Sequence, residues 1–353
     1  MKKTLLLVFV FVLALSACAP AATAEPAASE PVTLTVMTHD SFAISEEVVA
    51  AFEAAHNAKV VFLTSGDAGS ALNKAILTKE APLADLLFGV DNTFLSRALD
   101  EGIFEAYDAP ALAEIPAVFK LDAENRALPV DFGDVCINYD KAWFAEKGLA
   151  VPATLEDLTQ PEYAGLLVVE NPATSSPGLA FLMSTIAHFG EDGYLDFWAS
   201  LRDNGVAVAD GWETAYYTNF SASSGQGAQP MVVSYGSSPA AEVIFAETAL
   251  DDAPTASILG PETCYRQVEF VGILQGTANR ALAEDFVDFM LSKEFQEDLP
   301  MQMFVYPVLP SAQLPAEFVA YAQQPDQPAS LDPALIAANR DAWIQAWTDT
   351  VLK

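Results

Sequence analysis

The sequence predicts an α/β protein built as a two-lobed clamshell, each lobe a mostly parallel sheet flanked by helices. Three observations predict it. Strand-like alternation followed by amphipathic helical spacing recurs along the chain, two long extended stretches read as crossings between lobes, and the chain is long enough for two lobes of ordinary size. With 353 residues, 48 of them acidic and 16 basic, the formal charge is −32, which argues against a nucleic-acid partner, since that would need a basic face. Attraction of a cationic ligand and simple solubility are both served by such acidity.

The chain begins with Lys2 and Lys3 before an apolar run, Thr4 to Ala17, ending in Leu15-Ser16-Ala17-Cys18. That run falls short of the roughly 20 residues a helix needs to cross a bilayer, so residues 1–17 read as a lipoprotein signal peptide. Cleavage leaves Cys18 as a lipidated N-terminus, the only membrane attachment expected; an uncleaved anchor is the competing reading. Residues 18–31, rich in Ala, Pro, Thr, Ser and Glu, carry too little apolar surface to offset ordering and are expected to be a flexible tether.

Val32 to Met37 alternates as a half-buried strand, and Val48, Val49 and Phe52 share a face of a helix expected from Ser45 to Ala55. The same pairing is expected for Val60–Leu63 with Gly69–Lys79, Ala84–Val90 with Asn92–Asp100, and Leu166–Glu170 with Pro177–Phe189. The extended stretches Val130–Tyr139 and Tyr265–Gln275 are the crossings. They divide the body into lobe 1, residues 32–132 and 268–353, and lobe 2, residues 133–267. Leu335, Ile336, Asn339, Ala342, Trp343 and Trp347 mark a C-terminal helix. After processing only Cys136 and Cys264 remain to pair, and their spacing leaves it open whether they meet.

Ligands of open α/β sheets collect beyond the carboxyl ends of strands, where helix N-termini present unpaired amides. Three strand-to-helix junctions carry the small polar residues such a site requires: Gly66-Asp67-Ala68-Gly69-Ser70, Thr174-Ser175-Ser176-Pro177-Gly178 and Ser237-Ser238-Pro239-Ala240. In the second, Ser176 is expected as N-cap and Pro177 as the first helical residue. Each junction alone is equally a capped helix start; together, with Trp212 behind Gly211 and Tyr235 before the third, they point to a pocket with aromatic faces. Catalytic arrangements are hard to find. His39, His56 and His188 fall in no zinc-binding pattern, there is no Gly-x-Ser-x-Gly elbow and no phosphate-binding loop, and Cys136 sits in an apolar strand where a thiol would be inert. No metal and no cofactor is expected.

Asp40-Ser41-Phe42, Gly89-Val90-Asp91-Asn92, Thr174 to Gly178, Gly211-Trp212, Ser234-Tyr235 through Ala240, Tyr306-Pro307-Val308, and Arg340 with Ala342-Trp343-Ile344 occur in an order and spacing that resembles the substrate-binding proteins of thiamine ABC importers. The resemblance covers Val32 to Leu352 and implies the type II periplasmic binding protein fold. It also implies a monomeric extracytoplasmic receptor, not an enzyme, that closes on thiamine or a phosphate ester and delivers it to a permease and its ATPase. The family's ligand contacts fall on Asp67, Ala68, Ser175, Ser176, Trp212, Tyr235, Gly236, Ser237 and Ser238, with His39 and Phe304 as further candidates. In these roles Trp212 and Tyr235 pack on the ligand, the serines and helix amides bind its hydroxyl or phosphate end, and Asp67 faces an amine or the cationic ring.

The chain departs from the family pattern in four places. His39 and Ala241 stand where tyrosines are usual, Phe304-Val305 replaces a tryptophan, and a tryptophan early in the first helix is missing. A receptor for ferric iron, for which Tyr216-Tyr217 is an adjacent pair, or for a polyamine is the alternative on the same fold. An enzyme on that fold is the alternative of another class.

Overall fold

A computed structural model describes residues 30–222 and 225–353; the signal segment and Cys18 lie outside the described residues. Eleven strands among them form one continuous sheet. In chain order they are β1 (Val32–Thr38), β2 (Ala58–Thr64), β3 (Leu86–Asp91), β4 (Phe104–Glu105), β5 (Leu128–Asp140), β6 (Leu167–Glu170), β7 (Ala207–Ala209), β8 (Met231–Tyr235), β9 (Thr255–Ile258), β10 (Tyr265–Leu274) and β11 (Tyr306–Pro307). The main path runs β2-β1-β3-β10-β5-β8-β6-β7, with β4 on β10 and with β9 and β11 on β5.

The expected parallel pairing holds at both ends of this path. β1 is parallel to β2 and β3, and β6 is parallel to β7 and β8. Alternation drives it: Leu34, Val36 and Met37 of β1 are fully buried, under a helix Glu46–His56 whose Phe52 faces the core. The centre differs, because β10 is antiparallel to β3 and to β5, and β5 is antiparallel to β8 and β9. One crossing stretch takes the chain out and the other brings it back, so the two must run in opposite directions when they pair. At 13 and 10 residues, β5 and β10 are long enough to join the two parallel ends into one sheet.

Cys136 and Cys264 form a disulfide with Cα atoms 4.3 Å apart. They extend the β5–β10 ladder one pair beyond Val135 and Tyr265, which sit opposite each other. Cys136 is therefore a staple between the two crossing strands rather than an inert thiol, a bond that persists in oxidising compartments.

The helix after β6 begins at Ser176 and runs to Asp203, past the expected end at Phe189, with a break at Gly190 (φ 72°, ψ 170°). It continues because Tyr194, Phe197, Trp198 and Leu201 bury a second apolar stripe. The C-terminal helix Pro333–Val351 packs on it: Trp347 meets Trp198 edge-on at 5.5 Å, and Arg202 donates to the Thr350 carbonyl at 2.7 Å. No helix among the described residues is long and apolar enough to cross a membrane.

Candidate ligand-binding cleft

Two of the three polar junctions meet at one carboxylate. Asp67 caps the helix Ala68–Leu77, and its Oδ1 accepts from the Ala68 amide at 2.7 Å and from the Ser176 amide at 3.1 Å. A residue beside one parallel end of the sheet thus reaches the helix N-terminus at the other. Burial pushes Asp67 up to about 6, against the pull of those amides. Gly211 permits the approach, since a Cβ there would lie 3.3 Å from Asp67 Oδ2. The expected cap shifts by one residue: Ser175 is extended (φ −114°, ψ 132°) and the helix starts at Ser176. Asp67 bonds the Ser176 amide, and the Ser176 hydroxyl instead accepts from Gln267 Nε2 at 2.5 Å.

Trp212 opens a short helical turn after β7 and donates through Nε1 to Ser234 Oγ at 2.8 Å, which contacts Ser238 Oγ at 2.9 Å. Its ring lies flat against Tyr216 at 5.0 Å, and Tyr217 meets it edge-on at 5.4 Å. Tyr235, at the end of β8, donates to Gln267 Oε1 at 3.0 Å. The Tyr216 hydroxyl donates to Glu242 at 2.8 Å, and burial raises both the Tyr216 and Tyr217 phenols.

A third group comes from the sheet centre. Glu269 of β10 stands directly opposite Asp91 of β3 on one side and Asp131 of β5 on the other, so three carboxyl groups form a row across adjacent strands. Like charges in facing positions are destabilising. Asp91 accepts from Thr93 and Gln267, and burial raises it to about 6. Asp131 receives no bond from an N–H or hydroxyl donor; burial raises it to about 7, and burial and then Asp131 raise Glu269 well above the carboxylate range. His39 Nε2 lies 3.5 Å from Glu269 Oε1 with no hydrogen-bond partner of its own, and burial lowers the ring to about 4.

These groups enclose a cavity of about 520 Å³. Asp67, Ala68, Ser176, Trp212, Tyr235 and Ser238 line it, as do His39 and Phe304. Ser175, Gly236 and Ser237 are not in its wall. Ser175 is wholly buried behind Asp67, Ser237 is wholly buried at its helix cap, and Gly236 pairs its backbone with Asp134 and Gln323. Sequence reasoning missed Asp40, Phe42, Glu213, Phe245, Glu269 and Met303, which also line it. For Glu269 a signal existed, a charged residue between Val268 and Phe270 in a buried strand. The wall carries four acidic residues, Asp40, Asp67, Glu213 and Glu269, and no lysine or arginine.

A cavity of this size, walled from both ends of a mixed sheet and edged by helix N-termini, is a site for a small solute. A family profile described as bacterial extracellular solute-binding protein matches residues 81–330, and the chain belongs to that family. It is 32% identical over 333 residues to the thiamine-binding periplasmic protein of Salmonella typhimurium, covering 93% of this chain and 96% of that one. To the protein of the same name from Escherichia coli it is 31% identical, covering 92% and 95%. A solved periplasmic thiamin binding protein superposes with a TM-score of 0.79 at 30% identity, covering 91% of this chain and 96% of that one. Its fold is that of the type II periplasmic binding proteins.

Proposed function

We propose that this protein is the extracytoplasmic receptor of an ABC importer for thiamine, capturing the vitamin or its phosphate esters without turnover and passing it to a permease with its ATPase. The observation that carries the reading is the cavity wall, in which Trp212, Tyr217 and Tyr235 supply aromatic surface beside four acidic residues and no basic one. A flat cation such as the thiazolium ring of thiamine is attracted by both features. The phosphate of an ester would draw on the amides and hydroxyls at Ala68, Ser176 and Ser238. The relatives named above support the same ligand. Tyr216 and Tyr217 fit ferric iron poorly, since their rings stand at 83° and burial disfavours both phenolates.

Closure in this reading is a hinge about β5 and β10, with residues 32–132 and 268–332 moving against 133–267. The C-terminal helix moves with the latter, on which it packs. In this reading Cys18 carries the lipid that holds a monomeric receptor outside the cytoplasmic membrane.

Calorimetric titration of the chain from residue 19 with thiamine, its monophosphate and diphosphate, and spermidine tests the ligand. Saturable 1:1 binding of a thiamine form is expected, weakened about 5- to 30-fold by Trp212→Ala, the loss of roughly 1–2 kcal/mol of ring and cation contact. Binding of spermidine alone would replace thiamine with a polyamine.

A further inference from the structure

Glu269 has no role in the capture of thiamine as described so far, yet it is the acid that sits at the centre of the sheet and also reaches the cavity. Its surroundings are unusual for a buried carboxyl group. Facing it are Asp91 from β3, Asp131 from β5, His39 after β1, Asp67 at its helix cap and Tyr235 from β8. No lysine or arginine lies in the cavity wall to balance them.

Asp131 receives no donor from the protein except the acid proton it can share with Glu269. A buried pair of this kind stays un-ionised or half-ionised until a positive charge arrives. His39 Nε2 is likewise buried, unpartnered and on the cavity wall. An unpartnered His39 Nε2 on the wall, 3.5 Å from a Glu269 whose own neighbour Asp131 has no N–H or hydroxyl donor, makes this corner of the cavity a subsite for a ligand.

Building on the thiamine reading, we propose that Glu269, backed by Asp131, is the counter-charge for the ligand's cationic ring, and that binding expels a proton from this pair. As the ring docks, the shared O–H bond breaks, the carboxylate remains beside the cation, and the proton leaves to solvent buffer. His39 stays neutral and is not its source, because its ring is already unprotonated near neutral pH. The consequence is linkage: affinity rises with pH, up to tenfold per pH unit, until the free pair has ionised by itself.

The experiment is titration with thiamine at pH 6, 7 and 8, at each pH in two buffers of different ionisation enthalpy, on wild type, Glu269→Gln, Asp131→Asn and Asp67→Asn. The expected result is a buffer-dependent enthalpy reporting release of up to one proton, with tighter binding at higher pH. Glu269→Gln should abolish the release and weaken binding at pH 8 at least tenfold, while its circular dichroism stays that of wild type. Asp131→Asn should reduce the release and keep binding. Thiamine that binds with the same enthalpy in both buffers and a flat pH profile overturns the proposal and leaves the receptor reading intact. Release that survives Glu269→Gln but is lost in Asp67→Asn moves the exchanged proton to Asp67 and also overturns it. No heat from thiamine at any pH removes the ligand reading and this inference with it.

Discussion

Lowering the pH from 8 to 5.5 should make this protein more stable, the reverse of the usual behaviour of a carboxylate-rich chain. Asp67 and Asp91 are raised to about 6 and Asp131 to about 7, each mainly by burial. A carboxyl group raised above its unfolded value contributes stability that is fully present below the unfolded pKa and is lost as pH rises through the folded one. Across this window linkage gives about 0.8 kcal/mol each for Asp67 and Asp91 and about 2 kcal/mol for Asp131. His39 works in the opposite sense: held at about 4 by burial, it must stay neutral while the unfolded ring protonates, and costs about 1.4 kcal/mol by pH 5.5. The balance is about 2 kcal/mol in favour of the lower pH, and burial of Glu170 and Glu269 adds to it in the same direction. Carboxylates held by hydrogen bonds, such as Asp122 and Asp157, have lowered pKa values, titrate below this window and do not offset it. For a protein of this size that is a rise in Tm of about 3 °C, measurable by calorimetry of the ligand-free protein at fixed ionic strength. Asp131→Asn should flatten much of the slope. A Tm that is constant or falls between pH 8 and 5.5, or a slope unchanged in Asp131→Asn, would refute the claim that these acids are buried and uncompensated.

Two further outcomes follow from the strand geometry. Replacing Cys136 and Cys264 together by serine should lower stability by about 2–5 kcal/mol, because their bond closes a separation of 128 residues, and a urea titration with and without reductant reads it directly. A reduced wild type that matches the oxidised one would mean the β5–β10 ladder holds without the staple. Gly89→Ala should cost about 1–3 kcal/mol and also impair thiamine binding. Gly89 has φ 97°, and a Cβ there would sit 2.3 Å from the His39 ring, so the side chain at the cavity wall must move. Unchanged affinity in that variant would place His39 outside the ligand's reach.

What was legible in the sequence is what local chemistry determines. Asp67, Ser176 and Ser238 stand at helix starts, and the small polar residues that satisfy unpaired amides are recognisable from a few neighbouring positions. Trp212 was legible because Gly211 and a strand end mark it off from the core tryptophans Trp198 and Trp347. The acid row was not, because it depends on register between β3, β5 and β10, strands that are distant in sequence. A slip of one residue would turn Glu269 to the other face. The disulfide was open for the same reason, and so was the antiparallel centre, which appears only once both crossings are placed side by side. The serines that fall outside the wall show the converse limit. Ser175 and Ser237 have the composition of a ligand contact, but one residue along a helix start turns a side chain by about 100°, so one of each adjacent serine pair faces the cavity and the other the core.

The acid row also separates stability from function. Replacing a buried charge cluster with apolar residues of similar volume is often neutral or stabilising, and the strands that carry Asp131 and Glu269 are otherwise largely apolar. Facing carboxyl groups at the middle of the longest strands therefore work against the fold, and apart from a proton shared with Glu269 no donor within the protein offsets Asp131. The cost is recovered if a cation completes the cluster, which requires the cluster to face the cavity, as Glu269 does. The same reasoning accounts for Asp67, whose carboxylate is also raised by burial yet joins helix starts from opposite ends of the sheet. A ligand bearing positive charge would stabilise both carboxylates in their ionised forms at once, and the conformation it favours is the one in which Asp67 reaches Ser176. If Glu269 is the counter-charge proposed above, a neutral solute of equal size would leave the row uncompensated and be held only by ring contacts and hydrogen bonds.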